Sequence, residues 1–341
     1  MEPLRIIQVG LGGWGQDWYE RIVRYVADVK PVAYVDIDAE TMARAQMRCK
    51  LPSDLCFDSL ERALEATDAE AVLITASLPG HVPAALTALA AGKHVLIEKP
   101  FAPTLAAAQQ VVAAAAEANK VLMVSQNYRF FPAPRAVAAV VRDHIMGQVG
   151  VVQIDFRANY NAVSPRRERH HQLVHPLLMD MAIHHFDLMR LVLNQEPVRV
   201  TCEAVNPSWS NYVYPPAAFA TILFDGGTVV NYSGSWVSPS PKTFWAGNWR
   251  MECAGGEVLW TSRNGRDLSG ERVALRPLGQ GLHRMPLPEL AYIGRAGSLA
   301  AFVQAVRTGV EPETSGRANL GTLALMEAMI RSATSGAAET L

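Results

Sequence analysis

The run Arg5-Ile6-Ile7-Gln8-Val9-Gly10-Leu11-Gly12-Gly13-Trp14-Gly15 decides the fold. Its first five residues read as a buried strand, and residues 14–27 behind it read as a helix. Between them Gly10, Gly12 and Gly15 fit G-x-G-x-x-G, a pattern that carries meaning only in this strand–turn–helix setting. The first glycine allows the tight turn, the second lets the main chain approach a pyrophosphate, and the third lets helix and strand pack closely. The helix N-terminus then offers unpaired N–H groups to the anion. On this reading Gly10, Leu11, Gly12, Gly13 and Trp14 contact a dinucleotide.

Outward from the turn the alternation repeats. Residues 31–35 (PVAYV), 71–75 (AVLIT), 94–97 (HVLI) and 121–125 (VLMVS) are further apolar strands, separated by helical stretches at 39–49, 82–91 and 105–118. Continuous apolar strands between helices imply a parallel sheet covered on both faces. The pattern changes near residue 150. Residues 151–158, 198–204, 217–224, 229–234, 250–254 and 257–260 read as strands, with a hairpin turn at Phe224-Asp225-Gly226-Gly227-Thr228. That is a mostly antiparallel sheet of α+β type. One long helix at 176–193 interrupts it, and two more close the chain, near 298–308 and 319–334.

Half of the 341 residues are hydrophobic and 18% are charged, which argues against disorder, and the length suggests about two domains. The net charge is −1, and Arg166, Arg167 and Arg169 form the one tight basic cluster, so no nucleic-acid partner is expected. Cys49, Cys56, Cys202 and Cys253 make no C-x-x-C pair, which disfavours a disulfide framework or a zinc ribbon. The chain shows no cationic-then-apolar leader and no apolar stretch long enough for a bilayer. A cytoplasmic protein without a membrane partner is the expectation.

Asp36 ends the second strand. A carboxylate there accepts hydrogen bonds from the adenosine ribose and repels a 2′-phosphate, so NAD is favoured over NADP. Asp38 is a rival, and either residue also suits the cap of the following helix. Glu98-Lys99-Pro100 follows the strand HVLI. Ligands of open parallel sheets bind beyond the carboxyl ends of strands, and Pro100 keeps Lys99 out of helical geometry. Beside a cationic nicotinamide the ammonium is disfavoured, so Lys99 suits holding a substrate oxygen and helping remove its proton; the alternative is a surface lysine with a packed stem. On the apolar helix, Asp180, His184 and Asp187 stand at i, i+4 and i+7, which puts them on one face. Histidine is the side chain best poised for proton transfer near neutral pH. A solvated stripe is the alternative. His170, His171, His175, His184 and His185 cluster in the sequence, but Pro176 breaks helical pairing of His171 with His175 and no H-E-x-x-H is present, so no metal is expected.

With the glycine loop at 10–15, Asp36, Glu98-Lys99-Pro100, Asp180-x-x-x-His184 and the closing stretch 318–336 in this order, the chain resembles the Gfo/Idh/MocA family over essentially its whole length. The resemblance implies a Rossmann NAD-binding domain, residues 1–128, followed by an α+β domain with an open-faced sheet, residues 129–341, whose last helices pack back toward the first. It implies that Lys99, Asp180 and His184 are catalytic: His184 accepts the hydroxyl proton, Lys99 holds the oxygen, and Asp180 orients the group. Similar enzymes oxidise ring hydroxyls of sugars and inositols or reduce the ketones. Ser77, His81, Glu98 and Gln126 are further cofactor contacts by this likeness, although Thr75-Ala76-Ser77-Leu78-Pro79-Gly80-His81 departs from the commoner Thr-Pro-x-x-x-His form.

The resemblance also makes Arg129, in Ser125-Gln126-Asn127-Tyr128-Arg129-Phe130, a substrate or domain-junction residue, with a structural salt bridge as the alternative. Asn159, Tyr160, Arg166, His170, His171 and Trp236 are pocket candidates, because a polyol asks for stacking and many hydrogen bonds. The leading expectation is a dehydrogenase with dissociable NAD(H). The alternatives are a redox-neutral glycoside hydrolase or lyase that retains NAD and a non-catalytic nucleotide-binding regulator. An open sheet leaves a face or edges to cover, so a homo-oligomer, dimer or tetramer, is expected.

Overall fold

The computed structural model describes residues 2–164, 168–265 and 268–341, which fall into two compact units. The first comprises Met1–Asn127 and Tyr292–Leu320. Its strands are β1 (Leu4–Val9), β2 (Val29–Val35), β3 (Cys56–Phe57), β4 (Ala71–Ile74), β5 (His94–Ile97) and β6 (Leu122–Val124). They lie in the order β3-β2-β1-β4-β5-β6, every pair parallel. All of β4 and most of β1 and β5 are buried, as strands covered on both faces must be. Strand order reverses between β1 and β4, and ligands of such sheets bind beyond that switch point. Asp38 starts the helix Ala39–Cys49 by accepting the Thr41 N–H (2.9 Å), and Thr104 does the same for Leu105–Glu117 through Ala107 (3.2 Å).

Residues 129–341 were expected as a second domain whose last helices pack back toward the first, and by its contacts Tyr292–Leu320 belongs to the first unit. The helix Gly294–Thr308 packs on β5, Arg307 binds Glu70 (2.8 Å), and the Val124 N–H donates to the Thr314 carbonyl (2.8 Å).

The second unit, Tyr128–Ala291 with Gly321–Leu341, holds a nine-stranded sheet. Its strands are β7 (Val149–Arg157), β8 (Pro197–Val205), β9 (Ala217–Phe224), β10 (Val229–Ser235), β11 (Asn248–Cys253), β12 (Gly256–Thr261), β13 (Arg272–Pro277), β14 (His283–Arg284) and β15 (Glu339–Thr340). The order is β14-β13-β12-β11-β7-β10-β9-β8-β15, antiparallel except where β7 meets β10. The expected class, a Rossmann sheet plus a mostly antiparallel α+β domain, is what the chain adopts. Burial alternates along β7 to β11, with Val152, Ile154 and Phe156 inside and Gln153 outside, the period-2 pattern of a sheet covered on one face. The long helix begins with a π turn, Leu177–Ala182, and continues as Ile183–Leu193, packing on the helix Pro132–Arg142.

His185 lies wholly inside this unit. Its Nε2–H donates to the Trp245 carbonyl (2.9 Å), so Nδ1 accepts the Tyr232 hydroxyl (3.0 Å). Burial pushes its pKa down to about 4 from an ordinary 6.5. Between those values the unfolded chain takes up a proton that the folded chain refuses. Stability is therefore lost as pH falls through that window, by about 3 kcal/mol in all. Thermal unfolding between pH 7 and pH 4.5 is expected to fall more steeply for the native chain than for His185→Gln; parallel curves would refute this.

Candidate cofactor site and active-site helix

In the first unit the three glycines divide their work as their spacing predicts. Gly10 has φ +87°, and a Cβ there would lie 2.3 Å from Ala76 Cα. A Cβ on Gly15 would lie 1.9 Å from the Gly10 carbonyl oxygen, so helix and strand touch only because neither carries a side chain. Around Gly12 and Gly13 a Cβ would meet nothing within 4 Å, which leaves that main chain open to approach. The loop is held from below by two buried polar residues that pattern-reading misses. Gln8 Nε2 donates to the Gly15 carbonyl (2.8 Å), and Thr75 Oγ1 donates to the Gly10 carbonyl (2.7 Å).

Asp36 Oδ2 accepts the Leu11 N–H (2.7 Å) and Oδ1 accepts the Asp38 N–H (3.0 Å). A carboxylate has further lone pairs for ribose hydroxyls, whereas Asp38 is occupied as a helix cap. Leu11 itself is core, and its N–H is spent on Asp36. Trp14 is 49% exposed, with the Arg295 guanidinium 4.3 Å from its ring centre. Ile37, absent from the expected set, is 90% exposed at the tip of β2, next to Asp36.

Two residues expected as cofactor contacts, Glu98 and His81, also brace the Lys99 turn. Glu98 is buried; its Oε1 accepts the Trp18 indole N–H (2.7 Å) and its Oε2 the Lys99 N–H (3.2 Å). His81 is buried with Nδ1 against the Pro100 carbonyl (2.9 Å) and Nε2 against the Ala76 carbonyl (3.0 Å). Burial holds its pKa below the usual value despite those two acceptors. Through these protein partners both residues brace the turn. Lys99 stands half-buried beyond β5, joined to Pro100 by a cis peptide, and Ser77 is exposed at the start of the helix Leu78–Ala90. Gln126 is fully buried beyond β6, yet neither amide atom has a hydrogen-bond partner among the described residues. An orphaned buried amide implies a ligand or water to complete it.

In the second unit His184 is 4% exposed and lies face to face with Tyr128, ring centres 3.9 Å apart and planes 6° from parallel. Asp180 Oδ2 accepts from His170 Nε2 (3.2 Å), and in that tautomer His170 Nδ1 accepts the Tyr212 hydroxyl (2.8 Å). His171 Nε2 donates to the Tyr160 carbonyl (2.9 Å). The Tyr160 ring stands edge-on to Trp236 (5.0 Å) and Trp245 (6.0 Å), with the Lys242 ammonium 4.3 Å from the Trp245 ring centre. Tyr212, Trp245 and Lys242 were missed, since they sit on loops without periodicity.

Asp187 and Arg129 need correction. Arg129 Nε and Nη2 donate to the two Asp187 carboxylate oxygens (2.6 and 2.8 Å), and both side chains are buried. Asp187 thus leaves the expected polar line, which passes through a π turn, and the structural salt bridge is the reading that fits Arg129. Arg166 lies outside the described residues.

The glycine geometry makes a differential prediction. Gly15→Ala is expected to lower the Tm or prevent folding, since overpacking against main chain costs about 1–3 kcal/mol or more. Gly12→Ala is expected to keep the Tm and weaken NAD binding about tenfold or more, near 1.4 kcal/mol. Calorimetry and an NAD titration check both; equal effects of the two variants would refute the division of roles.

The family description "Oxidoreductase family, NAD-binding Rossmann fold" matches residues 4–126, and "GFO/IDH/MocA C-terminal domain" matches residues 135–257. The D-apiose dehydrogenase of Paraburkholderia graminis is 28% identical over 314 residues, spanning 89% of this chain and 81% of its own. The inositol 2-dehydrogenase of Rhizobium meliloti is 28% identical over 318 residues, spanning 90% and 88%. A solved structure of an inositol dehydrogenase homolog from Azotobacter vinelandii, complexed with NADH and myo-inositol, shares the fold with a TM-score of 0.83 at 18% identity, over 100% of this chain and 98% of its own. Matched by the family in both units, the chain belongs to the Gfo/Idh/MocA oxidoreductases, with NAD as its cofactor.

Proposed function

We propose that this enzyme oxidises a secondary ring hydroxyl of a sugar, glycoside or inositol, or reduces the corresponding ketone. The observation that carries the reading is the helix residue Asp180, held by a histidine that edges onto Trp236 and Tyr160, with His184 one turn on. Trp236 is buried, and the partly exposed rings of Tyr160 and Trp245 suit the C–H face of a polyol, whose hydroxyls the histidines and carboxylate meet. Relatives named as dehydrogenases of D-apiose and inositol point to the same substrate class.

His184 accepts the hydroxyl proton. Lys99 binds the same oxygen and favours the developing alkoxide. Asp180, oriented by His170, binds an adjacent hydroxyl and keeps the donor carbon in register. When bound, NAD supplies the hydride acceptor. Gly12 and Gly13 offer main-chain N–H groups to its pyrophosphate, Asp36 holds the ribose, and Gln126 has an unspent amide suited to the carboxamide. Arg129 is better assigned to the protein interior than to substrate.

Purified protein with NAD and a panel of sugars, glycosides and inositols is expected to raise the NADH absorbance band. Lys99→Ala and His184→Asn are each expected to lower kcat by about 100-fold or more, as loss of a positioned acid–base group does. Silence across the panel despite measured NAD binding would overturn the reading and favour a redox-neutral reaction.

The same reading includes self-association. The uncovered sheet face carries Thr201, Glu203, Phe219 (48% exposed), Thr221, Asn231 and Arg250, an apolar ring amid paired polarity that suits a second copy. A dimer or tetramer is expected by light scattering, and Phe219→Lys is expected to shift it toward monomer. A monomeric mass for the native chain at micromolar concentration would refute this.

A further inference from the structure

The ring that faces His184 is itself covered on a second side. The guanidinium carbon of Arg263 lies 3.8 Å from the centre of the Tyr128 ring, and the His184 ring lies 3.9 Å from the same centre, nearly parallel to it. Phe131 flanks the guanidinium at 5.2 Å. Each member is tied to a different part of the second unit. Tyr128 donates its hydroxyl to Met181 Sδ (3.7 Å). His184 rides on the helix Ile183–Leu193. The Arg263 N–H donates to Glu271 Oε1 (2.8 Å), and the same buried carboxylate accepts from Ser262 Oγ (2.7 Å) and the Ala133 N–H (3.0 Å). Arg263 itself adopts φ +66°, a left-handed conformation that non-glycine residues hold only when their surroundings impose it. Its carbonyl accepts the Trp245 N–H (2.9 Å), which joins the clamp to the aromatic wall.

The guanidinium has no carboxylate partner within ion-pair distance among the described residues, and its Nε is buried without a hydrogen bond. The cation lies over an aromatic face, and its charge also acts through space on the buried Glu271 carboxylate. The cation–π contact strengthens as water is excluded, and it holds the Tyr128 plane on one side. Stacking then fixes the imidazole plane on the other, where a hydrogen bond would fix only one atom. A proton acceptor must hold its lone pair toward the substrate hydroxyl to within a fraction of an ångström, and misplacement is costly in rate.

We propose that Tyr128 and Arg263 form a stacked clamp that holds the His184 ring in its proton-accepting orientation. They are positioning residues, touching neither substrate nor cofactor, and the proposal rests on His184 being the base. Losing the clamp frees the ring without removing its nitrogen, so kcat falls while the KM for the polyol and the affinity for NAD hold. In the native protein the His184 ring protons carry an upfield ring-current shift from Tyr128.

The test uses the full-length protein with 13C-labelled histidine, His184 being assigned by its loss in His184→Asn. Tyr128→Leu and Arg263→Met are each expected to lower kcat about 10- to 100-fold and to move the His184 ring signal downfield. Tyr128→Phe, which keeps the stacked face, is expected to recover most of the kcat lost in Tyr128→Leu. Should Tyr128→Leu not fold, Arg263→Met carries the same comparison. Unchanged kcat and an unshifted His184 signal in the clamp variants, with His184→Asn inactive, would overturn the clamp alone. Full activity in His184→Asn would overturn the base assignment, and the clamp with it.

Discussion

The buried pair between Arg129 and Asp187 governs how the second unit presents its helix. Arg129 follows Tyr128, and Asp187 lies one turn beyond His184. Two parallel hydrogen bonds between a fully buried carboxylate and a guanidinium therefore fix the chain that bears the tyrosine to the helix that bears the histidine. Thr322 adds a third contact to the carboxylate at 3.5 Å, from the closing helix Gly316–Ser335. Such a pair adds little net stability against an apolar replacement, but losing one partner strands a buried charge at about 3–5 kcal/mol. Its value here is directional, because the face-to-face rings of Tyr128 and His184 need both segments in one register.

The first unit solves a similar problem without charge. Its glycine loop is shaped by contacts that only missing side chains allow, and it is propped by Gln8 and Thr75 from the sheet beneath. Around Lys99 the neighbouring Glu98 and His81 turn inward to Trp18 and to the main chain. Lys99 stands half-buried on the turn that they shape. In both units the candidate site residue is flanked by residues engaged with the protein, which is how a site keeps its geometry before a ligand arrives.

Legibility differed between the units for a physical reason. Strands buried on both faces must be apolar throughout, so β1, β4 and β5 stand out as AVLI-like runs, and the helix 39–49 is bounded by its own cap. The edge strands β14 and β15, and β13 beside β14, carry no such demand. Arg272–Pro277 sets three apolar residues between two arginines, and only Val273 of them is buried. The helix Pro132–Arg142 hides behind prolines at positions 132 and 134, which suit a first helical turn but resemble a loop. Cys56–Phe57 is too short to carry a pattern.

By itself the sequence determined the class of both units and the strand–glycine turn–helix that opens the first, and it singled out Lys99, Asp180 and His184 as site candidates, because those follow from local spacing and from which residues must be apolar. Tertiary structure alone decided which polar residues are spent inside the protein. Arg129 and Asp187 looked like contacts for a ligand until each was seen to pair with the other, and Glu98 and His81 were seen to bind partners within the protein, as many as 80 residues away in the case of Trp18 and Glu98. It also decided the bounds of the returning segment, Tyr292–Leu320, and that Arg263 covers the ring beside His184. A hydrogen bond or a stacked ring between distant segments leaves no periodic trace in either, so only the folded chain reveals it.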